Sequence, residues 1–123
     1  MRKLTEVRFV PPRHGGLWRD RGMLVTLDVT KLDEAWRYNR VPEGGGADQD
    51  TKFLYERAKQ WIRSSPEVEL WATTLGMENE EDAVCFVEGR HSFAVLRDFG
   101  YATVKAWVNR DEADELLRRY GAK

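Results

Sequence analysis

The sequence predicts a single α/β (α+β) domain, a small mixed sheet packed by helices. Three observations carry that expectation. The hydrophobic period switches repeatedly between two and about 3.6 along the chain. The segments so defined run β-α-α-β-β-α-β-α, an order that suits a layered mixed fold. The chain has 123 residues, 41% hydrophobic and 33% charged, enough for one domain with its own core.

Each element has a local reason. Residues 1–22 contain Pro11-Pro12 and Gly15-Gly16 and keep no sustained period, so they read as a basic arm with one short strand, Glu6 to Val10. The domain proper spans residues 23–123. Met23 to Val29 alternates and is rich in β-formers, a strand. Thr30 can cap a short helix with Leu32, Ala35 and Trp36 on one face. Pro42-Glu43-Gly44-Gly45-Gly46 reads as a flexible loop. Asp50 or Thr51 then caps a longer helix to about Arg63, with Leu54, Ala58, Trp61 and Ile62 forming its apolar face. Ser64-Ser65-Pro66 stops it.

Residues 68–75 alternate and form a strand. Asn79-Glu80-Glu81-Asp82 is a polar tip, and Ala83 to Val87 returns as the second strand of a hairpin. A helix from about His91 to Phe99 turns Phe93, Leu96 and Phe99 inward. Thr103 to Val108 is the next strand. Asn109 followed by Glu112 resembles a capping box. The last helix runs to Tyr120 and ends at Gly121.

Charge and cysteine content narrow the function classes. The net charge is -1, so bulk charge demands neither nucleic acid nor membrane. The distribution is uneven. Residues 1–23 carry six Arg or Lys (Arg2, Lys3, Arg8, Arg13, Arg19, Arg21) against two acids, whereas residues 67–88 carry seven acids and no base. The arm reads either as a solvated terminus or as a polyanion contact. Cys85 is the only cysteine, so no disulfide within the chain and no cysteine metal site can form. It reads as a buried thiol. No signal peptide or membrane span is visible, and a cytoplasmic location is expected.

Chemistry concentrates at Glu88-Gly89-Arg90-His91-Ser92. A strand that feeds a helix through Gly exposes free backbone N–H groups at the positive end of the helix dipole. Arg90 and His91 sit there, and both can pair with phosphate. The alternative is a surface turn with a helix cap. His14 reads as a loop histidine. Two histidines without short spacing argue against structural zinc. Glu78, Glu80, Glu81 and Asp82 read as a solvated tip. Glu34, Asp48 and Asp50 flank the glycine loop and could reach a metal–nucleotide complex. Trp18, Trp36 and Trp107 are the candidates for exposure, where they could stack bases or meet a protein partner; core or partial burial is the safer reading for most of the tryptophans.

The element order, with Gly89-Arg90-His91 at the exit of the second hairpin strand and Phe93-Ala94-x-x-Arg97-x-x-Gly100 after it, resembles the ParB/sulfiredoxin superfamily over roughly residues 23 to 108. That resemblance implies a motif that cradles nucleotide phosphates at the helix start. Gly89 would allow close approach, Arg90 and His91 would touch phosphate, and the Ser92 hydroxyl could donate. Arg37 and Arg40, in a second polar loop, become candidates for the same pocket. ATP or another nucleotide with Mg²⁺ is the implied cofactor. Two departures stand out. The motif position of the sulfiredoxin cysteine holds Arg90, which argues against sulfinic-acid reduction. Ser92 stands where partition proteins carry a second Arg.

Two function classes follow. One is a nucleotide-dependent hydrolase or nuclease acting on DNA, with Arg90 and His91 as the catalytic groups, orienting phosphate and stabilising charge. The other is a non-catalytic module that binds nucleotide, DNA or a protein partner within a plasmid, phage or mobile-element system.

Overall fold

The computed structural model describes residues 7–13, 21–36, 40–65, 67–74 and 84–122. Across them run β1 (Arg8–Phe9), β2 (Gly22–Asp28), α1 (Val29–Ala35), α2 (Gln49–Ser64), β3 (Glu67–Val68), β4 (Trp71–Thr73), β5 (Cys85–Glu88), α3 (Arg90–Asp98), β6 (Thr103–Asn109) and α4 (Arg110–Tyr120). The expected mixed α/β architecture is present, with element boundaries displaced by a residue or two.

The main sheet is four-stranded in the order β2-β6-β4-β5. β2 and β6 pair antiparallel over seven residues, β6 and β4 pair parallel, and β4 and β5 form the expected antiparallel hairpin. The placement of β6 between β2 and β4 is a tertiary result that no local pattern predicts. Alternation orients the sheet: Val25 and Leu27 of β2 lie opposite Ala106 and Val104 of β6, and all four are buried. Thr26 and Lys105, opposite each other on the other face, are exposed. α1 and α4 pack against β2, α4 also against β6, and α2 packs on α3.

The residues expected to form one strand over 68–75 divide into β3 and β4. Between them the Leu70 carbonyl accepts from Trp107 N–H (2.6 Å), while β3 turns away to pair with β1. That second, two-stranded parallel ribbon holds the described part of the arm. Val7 is buried and Phe9 packs against the core, so this stretch is seated on the domain. Its charges are engaged as well. Arg8 and Arg13 both pair with Glu67, at 2.7 and 3.1 Å, and the Arg13 N–H donates to Glu69.

Several local expectations are corrected. Asp28, not Thr30, caps α1, accepting from Lys31 N–H (2.9 Å). Asp48, not Asp50 or Thr51, caps α2, accepting from Thr51 N–H (2.9 Å). In both cases an Asp two residues earlier has the extended backbone that a cap needs. Asn109 does cap α4, but Glu112 does not complete a capping box. Its carboxylate instead accepts from the Thr74 N–H and from the hydroxyls of Thr73 and Thr74 at the end of β4. Gly121 ends α4 without a left-handed turn, bridging to Leu27 of β2 instead.

The core centres on three aromatic rings. Trp36, Phe86 and Phe93 meet edge-to-face and stacked, with centroids 4.6–5.4 Å apart. Trp36 is 1% exposed and Trp107 is buried, so for these two the burial reading holds and the exposed one does not. Trp18 lies outside the described residues. On α2 the inward face is Tyr55, Ala58 and Ile62. Leu54 and Trp61, expected to be inward, are 41% and 58% exposed. Two faces of this helix carry apolar residues, and packing on α3 selected the one with Tyr55.

Candidate functional site

The start of α3 is built as the sequence pattern anticipates. β5 ends at Glu88, Gly89 turns, and α3 begins at Arg90. Gly89 has φ +84°, a left-handed conformation in which side chains are strained. A Cβ at this position would also collide with the Glu69 carbonyl oxygen. Glycine is therefore required twice, by torsion and by close approach.

Gly89 carries no side chain to cap the helix, and no side chain caps α3. The first intrahelical bond is Phe93 N–H to the Gly89 carbonyl (2.8 Å). The N–H groups of Arg90, His91 and Ser92 precede it, at the positive end of the helix dipole. All three residues are partly exposed. Among the described residues Arg90 enters no ion pair. His91 has its pKa lowered, first by burial and then by the neighbouring Arg90 charge, so its imidazole is neutral at neutral pH. A neutral imidazole accepts a proton readily and adds no standing charge, so Arg90 supplies the fixed positive charge here.

The remaining candidates are not brought to this place. Arg40 donates to both oxygens of Asp33, at 3.0 and 3.1 Å, and Asp33 in turn pairs with Arg97 in the last turn of α3. Arg40 thus belongs to the opposite end of the helix from Arg90, about 12 Å away at 1.5 Å per residue. The reason is topological: the chain leaves α1 and reaches the 43–45 turn alongside the C-terminal end of α3. Arg37, His14 and the acids 78–82 lie outside the described residues. Among the described residues no three His, Cys, Asp or Glu side chains converge as a cation site.

Sequence reasoning missed a second constellation at that opposite end. Asp33, Glu43, Gly44, Tyr55, Arg97 and Asp98 line a shallow cleft of about 440 Å³. Arg97 is its hub, with a side chain 8% exposed. Its guanidinium donates to Asp98, Asp33 and the Val41 carbonyl at 2.8–3.1 Å. Asp98 also accepts from Gly44 N–H (2.9 Å) and from the Tyr55 hydroxyl (2.7 Å). Burial alone would raise the Asp98 pKa, but Arg97, Gly44 and Tyr55 outweigh it and the pKa is lowered. Burial and then the Asp98 bond push the Tyr55 hydroxyl well above its usual range. Burial works against the Arg97 charge as well, and Asp98 and Asp33 more than offset it.

This network fastens the glycine loop. Gly44, Gly45 and Gly46 all have positive φ, and the N–H groups of Gly45 and Gly46 bond back to Pro42 and Glu43. The loop expected to be flexible is therefore tied to α3. The only sequence hint was Arg97-Asp98 closing an apolar helix, which is also an ordinary way to end one. Cys85 lies half-buried in β5, its thiol pKa raised by burial and then by Glu112, as expected of a packing thiol rather than a nucleophile.

No protein-family model matches the chain, and no curated protein or solved structure matches it.

Proposed function

We propose that the start of α3 binds a phosphate group, carried by a nucleotide or by a nucleic-acid backbone. The observation that carries this reading is the helix start at Gly89, which among the described residues has no side-chain cap and has Arg90 beside it without an ion pair. Oriented N–H donors and an unengaged guanidinium are what a phosphate ester needs. The resemblance of Gly89-Arg90-His91 to the ParB/sulfiredoxin motif supports the same ligand class, ATP or a related nucleotide with Mg²⁺. The described arm contributes less than its composition suggests, because Arg8 and Arg13 already serve Glu67. Arg21 is exposed and remains available to a polyanion.

Between turnover and simple binding, His91 is the deciding residue. A neutral imidazole beside Arg90 can take a proton from an attacking water, as a nucleotide hydrolase or nuclease requires. Without such a step the domain acts as a binding module for nucleotide or DNA.

The test is calorimetric titration with ATP and with inorganic tripolyphosphate, with and without Mg²⁺, alongside phosphate release. Arg90→Ala should weaken both ligands by roughly 1.5–3 kcal/mol, the range for charge-assisted hydrogen bonds. Unchanged affinity in a variant that melts like the wild type would remove Arg90 from the site. Phosphate release that His91→Ala abolishes while binding persists identifies the hydrolase; binding without release identifies the module.

A further inference from the structure

The outer face of α2 carries an unusual ladder. Phe53, Arg57 and Trp61 are four residues apart, so they stand one above another on successive turns. Phe53 is 53% exposed and Trp61 58% exposed. Arg57 lies 5.8 Å from the Phe53 ring centroid and, among the described residues, enters no ion pair. Leu54 flanks the ladder, and Lys52 and Arg63 are exposed on the same helix.

We propose that this ladder is a contact surface for single-stranded nucleic acid, with bases stacking on Trp61 and Phe53 and Arg57 facing the backbone. Two arguments favour this occupant. The first is chemical. The cation sits between the aromatics, so an apolar protein face laid on them would desolvate an unpaired charge, which is costly. A single strand offers a π-face to each ring and a phosphate to the guanidinium. The exposed charges of α2 agree: Lys52, Arg57 and Arg63 stand against Asp50, while Glu56 is already paired with Lys59.

The second argument is positional. Tyr55, in the N-terminal half of α2, bonds Asp98 at the last residue of α3. The other end of α2, beyond Trp61, runs on to β3 and Glu69, whose carbonyl abuts Gly89. The ladder therefore leads toward the start of α3. This placement rests on the phosphate reading given above, whereas the aromatic contacts rest on residues separate from it, so either can fail alone.

Fluorescence anisotropy of a labelled oligothymidylate at low salt, paired with tripolyphosphate titration, tests the proposal. Trp61→Ala should weaken oligothymidylate binding about tenfold, in line with the loss of one stacked base, and leave tripolyphosphate binding unchanged. Arg90→Ala should weaken both. Oligothymidylate bound in a Trp61-dependent way without any tripolyphosphate binding would sustain the ladder and sink the phosphate site. Equal oligothymidylate affinity in Trp61→Ala and wild type, or no binding at low salt, overturns the proposal. So does equal affinity for a duplex of the same length, because paired bases cannot stack on the rings. A wild-type dimer in sedimentation that Trp61→Ala dissociates would give the surface to a second copy of the chain and equally overturn it.

Discussion

The two ends of α3 are built on opposite principles. At the C-terminal end the more buried charges are answered: Arg97 by Asp98, Asp33 and the Val41 carbonyl, and Asp98 further by Tyr55 and Gly44. At the N-terminal end, among the described residues, no side chain caps the helix and Arg90 enters no ion pair. A cleft lined by charges is a natural first choice for a binding site, yet this one has its polar groups already satisfied. It fastens a loop. Among the described residues the plainer turn at Gly89 has donors to spare, and the phosphate proposal rests on them.

The largest effect should come from Arg97→Ala, which takes a charged partner from both Asp33 and Asp98 and a donor from the Val41 carbonyl. A stability loss of about 3 kcal/mol is expected, typical of breaking a partly buried ion pair from one side. Urea unfolding checks it. A loss near zero would mean that the C-terminal network fastens nothing, and the contrast between the two ends would collapse.

Gly89→Ala comes next, at roughly 2 kcal/mol from the left-handed torsion alone, with the approach to the Glu69 carbonyl adding to it. The same urea experiment reads it. Wild-type stability here would show that the turn tolerates a side chain, and that the helix start is not held open by glycine.

The smallest effect is a pH response in which both ends lose stability as pH falls but only the His91 end changes its ligand affinity. The folded pKa of Asp98 is lowered, so its contribution to stability is present above its unfolded value of 3.8 and is lost as pH falls through the folded value. The folded pKa of His91 is lowered too, below its usual 6.5, so protonating it as pH falls costs stability in the free protein. On the phosphate proposal, a bound phosphate would reverse that cost by favouring the imidazolium. Affinity for tripolyphosphate should therefore rise between pH 7 and 5 while stability of the free protein falls slightly. A flat or opposite affinity profile in calorimetry would place His91 away from the ligand.

How much was legible in the sequence follows from what each feature depends on. The strands at β2, β5 and β6, the helices, and the Gly89 turn came from local periods and from a residue type with a special backbone. These are properties of neighbours in the chain. The caps slipped to Asp28 and Asp48 because Ser, Thr and Asp all serve locally, and the surrounding backbone chooses among them. The faces of α2 could not be ranked, since Leu54 and Trp61 are as apolar as Tyr55 and Ile62. Trp36 and Trp107 looked available and are buried, because burial depends on what the rest of the chain lays over them.

By itself, then, the sequence determined the order and type of the elements and the exposed donors at Gly89. Both arise from backbone geometry and from residues close together along the chain. Only the tertiary structure decided the β2-β6-β4-β5 order, the seating of the arm's described residues through Glu67, and the meeting of Arg40, Asp33, Arg97, Asp98 and Tyr55. Most of these depend on contacts between residues dozens of positions apart, such as Arg97 with Asp33 and Tyr55 with Asp98. A charge pattern read along the chain does not say which carboxylate will meet which guanidinium. Among the described residues, that pairing engaged Arg40 and gave Arg90 no ion pair.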